Sequence, residues 1–210
     1  MRDRNAPLSA EMINALAWEK MDGLIPAIVQ DADTGQVLML GYMNREALTA
    51  TLESSQVTFF SRSKERLWKK GESSGNVLAV REVRTDCDGD AILVKAVPAG
   101  PTCHLGTASC FADEEGGPGF LGALSRIVAA RSGADPATSY TARLLAGPPD
   151  KLAQKVGEEG VELALAAVCR DRAGCVEEAA DLLYHMAVLM EARGFGWDDV
   201  SAVLRERHQN

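Results

Sequence analysis

The chain has 210 residues, 46% of them hydrophobic and 25% charged, a composition far too apolar for a disordered protein and ordinary for a globular one. A net charge of −8, from 22 basic and 30 acidic side chains, argues against a nucleic-acid coat, because a long phosphate footprint needs a basic stripe. No apolar run approaches the roughly 20 residues that span a bilayer, and no basic segment followed by an apolar one opens the chain.

Five cysteines are an odd number, so a complete disulfide framework is excluded and a reducing cytoplasm is the expected compartment. Residues 1–111 read as β-branched and alternating runs: Ile25 to Gln30, Val37 to Leu40, Val57 to Phe60, Val77 to Val83 and Ala91 to Val97. Asp33-Thr34-Gly35 predicts a hairpin turn between the first two. Helices are predicted from Ser9 to Trp18 and from Asn44 to Ser54, the second with Asn44 as its cap. The Gly/Pro-rich acidic stretch 112–118 reads as a linker. Beyond it, Phe120 to Arg131, Pro149 to about Arg170, Cys175 to Arg193 and Trp197 to His208 carry helical periodicity, with Gly174 as a separator. The expected fold is therefore two domains: an N-terminal α+β domain, mostly antiparallel sheet, over 1–111, and an all-α bundle over 119–210. The acid excess lies beyond residue 111, with net charge −6 in residues 112–210 against −2 in residues 1–111.

Chemistry-bearing residues cluster in both halves. Asp86-Cys87-Asp88-Gly89-Asp90 follows a strand, and extended alternation would send the three carboxylates to one side and the thiol to the other. Oxygen ligands suit Mg²⁺, and thiolates suit a softer ion. Cys103 and Cys110 follow, with His104 beside the first. Three Cys and one His could make a closed structural zinc site; three thiolates plus water would leave the open position of catalytic zinc. Buried free cysteines are equally consistent with the spacing alone. The segment from Arg62 through Trp68, Lys70 and Gly71 to Ser74-Gly75-Asn76 mixes glycines, hydroxyls and cations in a way that suits a phosphate. In the second half, Glu158, Glu159 and Glu162 on one helix, and Glu178 and Asp181 on the next, have the spacing of a carboxylate nest for Mg²⁺ within a bundle. Apolar neighbours such as Val161 and Leu165 make simple solvation of these acids the weaker reading.

Two resemblances sharpen this. Gly23 to Asp31, Tyr42-Met43-Asn44, Ser61-Arg62-Ser63, Trp68 to Gly71, Ser74-Gly75-Asn76, Asp86 to Asp90 and Cys103-His104 to Cys110-Phe111 resemble phosphoribosyl-AMP cyclohydrolase over 20–111. The family pattern carries Ala at position 41 and Thr at 73, and Gly41 and Ser73 read as mild departures. The resemblance implies zinc on Cys87, Cys103 and Cys110, and Mg²⁺ on Asp86, Asp88 and Asp90. It also implies a homodimer whose zinc sites draw on both subunits. Zinc lowers the pKa of a coordinated water, and His104 is assigned to proton transfer or oxyanion stabilisation as N1–C6 of the adenine opens. Ser139-Tyr140-Thr141, Lys151, Lys155 to Glu159 and Glu178 to His185 resemble phosphoribosyl-ATP pyrophosphatase, an all-α nucleotide pyrophosphohydrolase, over 119–210. Lys151 and Lys155 would then meet substrate phosphates and Glu159 the attacking water. His185, Cys169 and Cys175 are read as packing residues. Together these imply a fused enzyme for the second and third steps of histidine biosynthesis, with chain order opposite to reaction order. The rival expectations are a housecleaning nucleotide pyrophosphohydrolase with a degenerate zinc module, and a non-enzymatic zinc-stabilised interaction protein.

Overall fold

A computed structural model describes residues 6–111 and 118–208, and these divide into two compact units, with the boundary between Gly119 and Phe120. Most of the proposed linker, residues 112–117, lies outside the described residues.

In the first unit, β1 (Ile25–Asp31), β2 (Val37–Met43), β5 (Leu78–Thr85) and β6 (Ile92–Pro98) form a sheet of order β2-β1-β6-β5. Strands β1 and β2 pair antiparallel across the Asp33-Thr34-Gly35 turn, where Asp31 accepts from the Asp33 and Thr34 amides and Gly35 has φ +75°. The one parallel pairing is β1 with β6. A second hairpin, β3 (Thr58–Ser61) with β4 (Arg66–Lys69), pairs Phe59 with Trp68. Strand β4 is not legible in the sequence, because Arg66 to Lys69 is short and charged and its partner β3 alone makes it a strand.

Alternation decides the core. Ile25, Ala27 and Val29 of β1 and Ile92 and Val94 of β6 point to one buried face. Helix α1 (Arg45–Ser54) adds Ala47 and Leu48 to the same core and is capped as predicted by the Asn44 side chain accepting from the Ala47 amide. The predicted helix from Ser9 to Trp18 is instead two 3₁₀ turns, Ala10–Ala15 and Trp18–Met21. Trp18 is fully buried and its indole donates to the Ile13 carbonyl, so burying one large ring overrides continuous helix. Gly41 has a role beyond a mild departure: a Cβ there would stand 2.4 Å from the Phe59 ring.

The second unit is all helix: α2 (Phe120–Ala129), α3 (Tyr140–Ala146), α4 (Pro149–Cys169), α5 (Arg172–Arg193) and α6 (Trp197–Arg207). Val128, Leu152, Val188 and Met190 are its buried centre. Gly174 does not separate α4 from α5. The break is at Arg170-Asp171, and the Asp171 carboxylate caps α5 by accepting from the Gly174 amide. Helix α3, short and not foreseen, starts at Ser139, whose hydroxyl accepts from the Ala142 amide.

Candidate functional sites

The first site is a cavity of about 440 Å³ in the sheet unit, walled by Trp68, Lys70, Ser74, Asn76, Cys103, His104 and Cys110. Two loops build it. Gly71 has φ +86°, and a Cβ there would stand 2.5 Å from the Asn76 backbone, so only glycine lets the 71–76 loop fold back on itself. The 103–110 loop closes through Cys103 and Gly106 (Cys103 N to Thr107 O, 3.0 Å; Gly106 N to Cys103 O, 3.0 Å). It is fastened to β2 by the buried Ser109, whose hydroxyl donates to Val37 O (2.8 Å), and by Cys110 N to Leu38 O (2.8 Å). Trp68 stacks on Phe59 with ring centroids 5.6 Å apart. Lys70 is buried and reaches the Asn76 carbonyl (3.4 Å).

The two thiols differ. The Leu105 amide and the Thr107 hydroxyl hold the Cys103 thiol below its usual range, while partial burial and neighbouring Cys103 push Cys110 up. His104 Nδ1 lies 3.9 Å from the Cys103 sulfur. Soft donors beside an imidazole are the donor chemistry that zinc takes.

Within one chain Cys87 joins no metal-sized group with Cys103 and Cys110 among the described residues; its group is Asp86-Cys87-Asp88, all within 4.8 Å. The expected division of thiol and carboxylates between opposite sides does not occur. Residues 86–90 are a bend rather than extended chain, because Asp86 Oδ1 accepts from the Gly89, Asp90 and Ala91 amides (3.0, 3.1 and 3.2 Å). Lys20 ion-pairs with Asp88 (2.5 Å) and Asp90 (3.3 Å), and holds the Asp88 carboxyl below its usual range. Arg62 and Gly75 do not line the cavity; the Arg62 guanidinium sits 3.9 Å over the Tyr42 ring.

The second site lies where α4 and α5 pack. Of the five expected acids, Glu159, Glu178 and Asp181 bring carboxylate oxygens within 4.8 Å of one another, the two glutamates buried. Hard oxygen donors converging in this way fit Mg²⁺. Glu158 is turned aside to Lys155 (2.9 Å) and Gln154 (2.7 Å), which hold its carboxyl below the usual range, and Glu162 is exposed outside the group. The apolar flank is not buried as expected either, since Val161 and Leu165 are 60% and 59% exposed in the single chain.

Sequence reasoning gave no site role to four neighbours. Buried His185 places Nδ1 3.5 Å from Glu159, and Arg170 is ion-paired to Glu178. Tyr140 and Arg143 wall a cavity of about 410 Å³ with Lys151 and Lys155. Helical spacing places His185, seven residues after Glu178, on the acids' face, and the sequence reading assigns it only a packing role; nothing local signals Arg170.

A thiol-lined cavity in the sheet unit and a carboxylate cluster in the helical one make two candidate sites, each with donor groups of the kind that hold a metal ion. Comparison with known proteins gives the family. Residues 39–112 match the family model of phosphoribosyl-AMP cyclohydrolase, and residues 121–208 that of phosphoribosyl-ATP pyrophosphohydrolase. The chain is 55% identical over 202 residues to the histidine biosynthesis bifunctional protein HisIE of Escherichia coli (strain K12), covering 96% of this chain and 100% of the relative. Proteins of the same name from Photobacterium profundum (54% over 203 residues; 94% and 98% covered) and Xanthomonas axonopodis pv. citri (54% over 205; 98% and 98%) are similarly close. The chain belongs to the family of bifunctional histidine-biosynthesis proteins, and it is a bifunctional hydrolase with cyclohydrolase and pyrophosphohydrolase activities. The housecleaning and non-enzymatic readings are thereby set aside. No helix among the described residues is long and apolar enough to cross a membrane.

Proposed function

We propose that the two activities reside in these two sites, with 1–111 and 119–210 as separate catalytic domains joined by 112–118. The carrying observation is that each matched segment contains its own convergent donor set, Cys103 and Cys110 in one and Glu159, Glu178 and Asp181 in the other.

In the helical domain, phosphoribosyl-ATP is cleaved to phosphoribosyl-AMP and pyrophosphate. Glu159, Glu178 and Asp181 would hold Mg²⁺, which would supply positive charge to offset that of the substrate phosphates. Lys151 and Lys155 neutralise the polyphosphate from the cavity side, and Glu158 holds Lys155 in place. Glu159 takes the proton of the attacking water. Glu162, one turn along α4, stays outside this set.

In the sheet domain, the adenine ring of phosphoribosyl-AMP opens at N1–C6. Zn²⁺ held by Cys103, Cys110 and Cys87 of a second copy would lower the pKa of the water that adds to C6. N1 substitution leaves the ring cationic and electrophilic. Trp68 offers a face for the base, and Lys70, Ser74 and Asn76 offer donors to the ribosyl phosphates. Glycine at 75 and Arg62 support that loop and strand edge from outside the cavity. His104 moves the proton between water and ring nitrogen. Asp86, Asp88 and Asp90 form the Mg²⁺ position, with Lys20 as counter-charge.

A homodimer is supported by apolar surface on both units. Ile28 and Leu40 are paired neighbours exposed on the open face of the sheet, and Val161, Leu165 and Val168 form an exposed stripe on α4. Five free cysteines support a cytoplasmic location.

The test is incubation of the purified protein with phosphoribosyl-ATP, following pyrophosphate release and the ultraviolet change on ring opening. Cys103→Ala abolishes ring opening and leaves pyrophosphate release. Glu159→Ala abolishes release and leaves ring opening of supplied phosphoribosyl-AMP. One substitution that removes both refutes two separate sites.

A further inference from the structure

His185 is buried on α5, yet its ring is fully engaged in polar contacts. Nδ1 lies 2.9 Å from the Asp181 carbonyl oxygen, and a carbonyl can only accept, so Nδ1 carries the hydrogen. The same Nδ1 faces Glu159 Oε1 at 3.5 Å. In a neutral ring Nε2 must then accept, and the Tyr140 hydroxyl, 3.2 Å away, is placed to donate to it. Tyr140 comes from α3 and is held edge-on to the imidazole (89° between ring planes), with the Arg143 guanidinium over the tyrosine ring, 5.5 Å from its centroid. Tyr184 packs edge-on at 5.1 Å, and its hydroxyl is tied to Thr141 (2.8 Å). An imidazole retained only for packing needs none of this; a leucine would fill the space.

We propose that His185 is a positioning residue for the carboxylate cluster. Its Nδ1–H donates to the Asp181 carbonyl, which sets the ring beside the inward oxygen of Glu159, and the Tyr140 hydroxyl at Nε2 holds the ring in that orientation. Tyr140 is also a wall of the cavity shared with Lys151 and Lys155, so one hydrogen bond joins the substrate cavity to the metal-binding acids. Outer partners that orient ligands govern metal affinity as well as rate, typically by 10- to 100-fold. The inference rests on the reading of Glu159, Glu178 and Asp181 as the Mg²⁺ site.

The test uses the full-length chain and Mn²⁺ as a spectroscopic probe of the cluster. Glu159→Gln defines the part of Mn²⁺ binding that belongs to it. His185→Phe keeps a ring and loses both nitrogens, and should weaken that binding by about tenfold or more while raising the Mg²⁺ half-saturation for pyrophosphate release in parallel. His185→Asn, whose amide can reproduce the Nδ1–H donor, should stay within about threefold of the unsubstituted chain. Tyr140→Phe removes one oxygen from a half-exposed ring and should fall between them, so it carries the test if His185→Phe fails to fold, judged by its helical melting curve. Mn²⁺ binding by His185→Phe equal to the unsubstituted chain overturns the proposal, and so does equal weakening by Phe and Asn. If Glu159→Gln itself binds Mn²⁺ undiminished, the underlying site assignment falls as well.

Discussion

The guanidinium of Arg170, at the end of α4, is ion-paired to the carboxylate of Glu178 on α5, inside the acid cluster proposed for pyrophosphate release. A cationic side chain therefore shares its partner with any divalent ion that binds there. The pair is more than half exposed on the arginine side, so its worth is about 0.5–1 kcal/mol. Arg170→Gln should then tighten Mg²⁺ by about two- to fivefold, read as half-saturation of pyrophosphate release. An unchanged or weaker Mg²⁺ dependence would show that Arg170 does not compete.

The three-carboxylate geometry makes the acids unequal. Glu159→Gln or Asp181→Asn should reduce pyrophosphate release by at least about a hundredfold. Glu162→Gln, outside the grouping, should stay within about threefold. Steady-state rates at saturating Mg²⁺ separate the two cases, and equal losses would restore a wider nest.

The two cavity thiols should differ in reactivity once metal is chelated. Cys103 is held low by the Leu105 amide and Thr107, so its thiolate forms at a lower pH than an ordinary cysteine's. Cys110 is pushed up by burial and by Cys103, so its thiolate forms later as pH rises. Iodoacetamide near pH 7.5–8, close to the reference thiol range, should label Cys103 first, and peptide mapping checks the order. Labelling of Cys110 first contradicts it.

Glycines 71 and 75 share positive φ, +86° and +77°, but not surroundings. Gly75→Ala meets open space and should cost about 1 kcal/mol of backbone strain. Gly71→Ala adds a collision with the Asn76 backbone, so it should cost at least about 2 kcal/mol and remove ring opening. Denaturant midpoints together with the ultraviolet assay distinguish them.

Gly41→Ala tests whether a β-carbon is tolerated against the Phe59 ring. With Phe59 in the way, overpacking should cost about 1–3 kcal/mol and disturb the Phe59–Trp68 stack at the cavity wall. Thermal melting of the variant checks it; a midpoint at the unsubstituted value means Phe59 yields freely.

Much of the fold was legible because its signals are local. Alternation placed β1 and β6, an Asn-led amphipathic run placed α1, and Pro-Pro-Asp started α4. Strand β4 and helix α3 were not, since Arg66 to Lys69 becomes a strand only through pairing with β3, and seven residues at Tyr140 are too few for a periodic signal. The acid spacing named the cluster but overfilled it, because spacing reports a helix face and not which rotamers converge.

What the sequence determined by itself was the kind of protein: two domains, their fold classes, their family and the residue types that carry the chemistry. Those follow from periodicity, turn chemistry and motif identity, all of which are written along the chain. Tertiary structure alone decided which residues share a site. It set Lys20 against Asp88, Arg170 against Glu178 and His185 between Tyr140 and Glu159, and it grouped Cys87 with Asp86 and Asp88. Such contacts join different elements, most of them far apart in sequence, and their geometry comes from helix packing and loop closure rather than from any local preference.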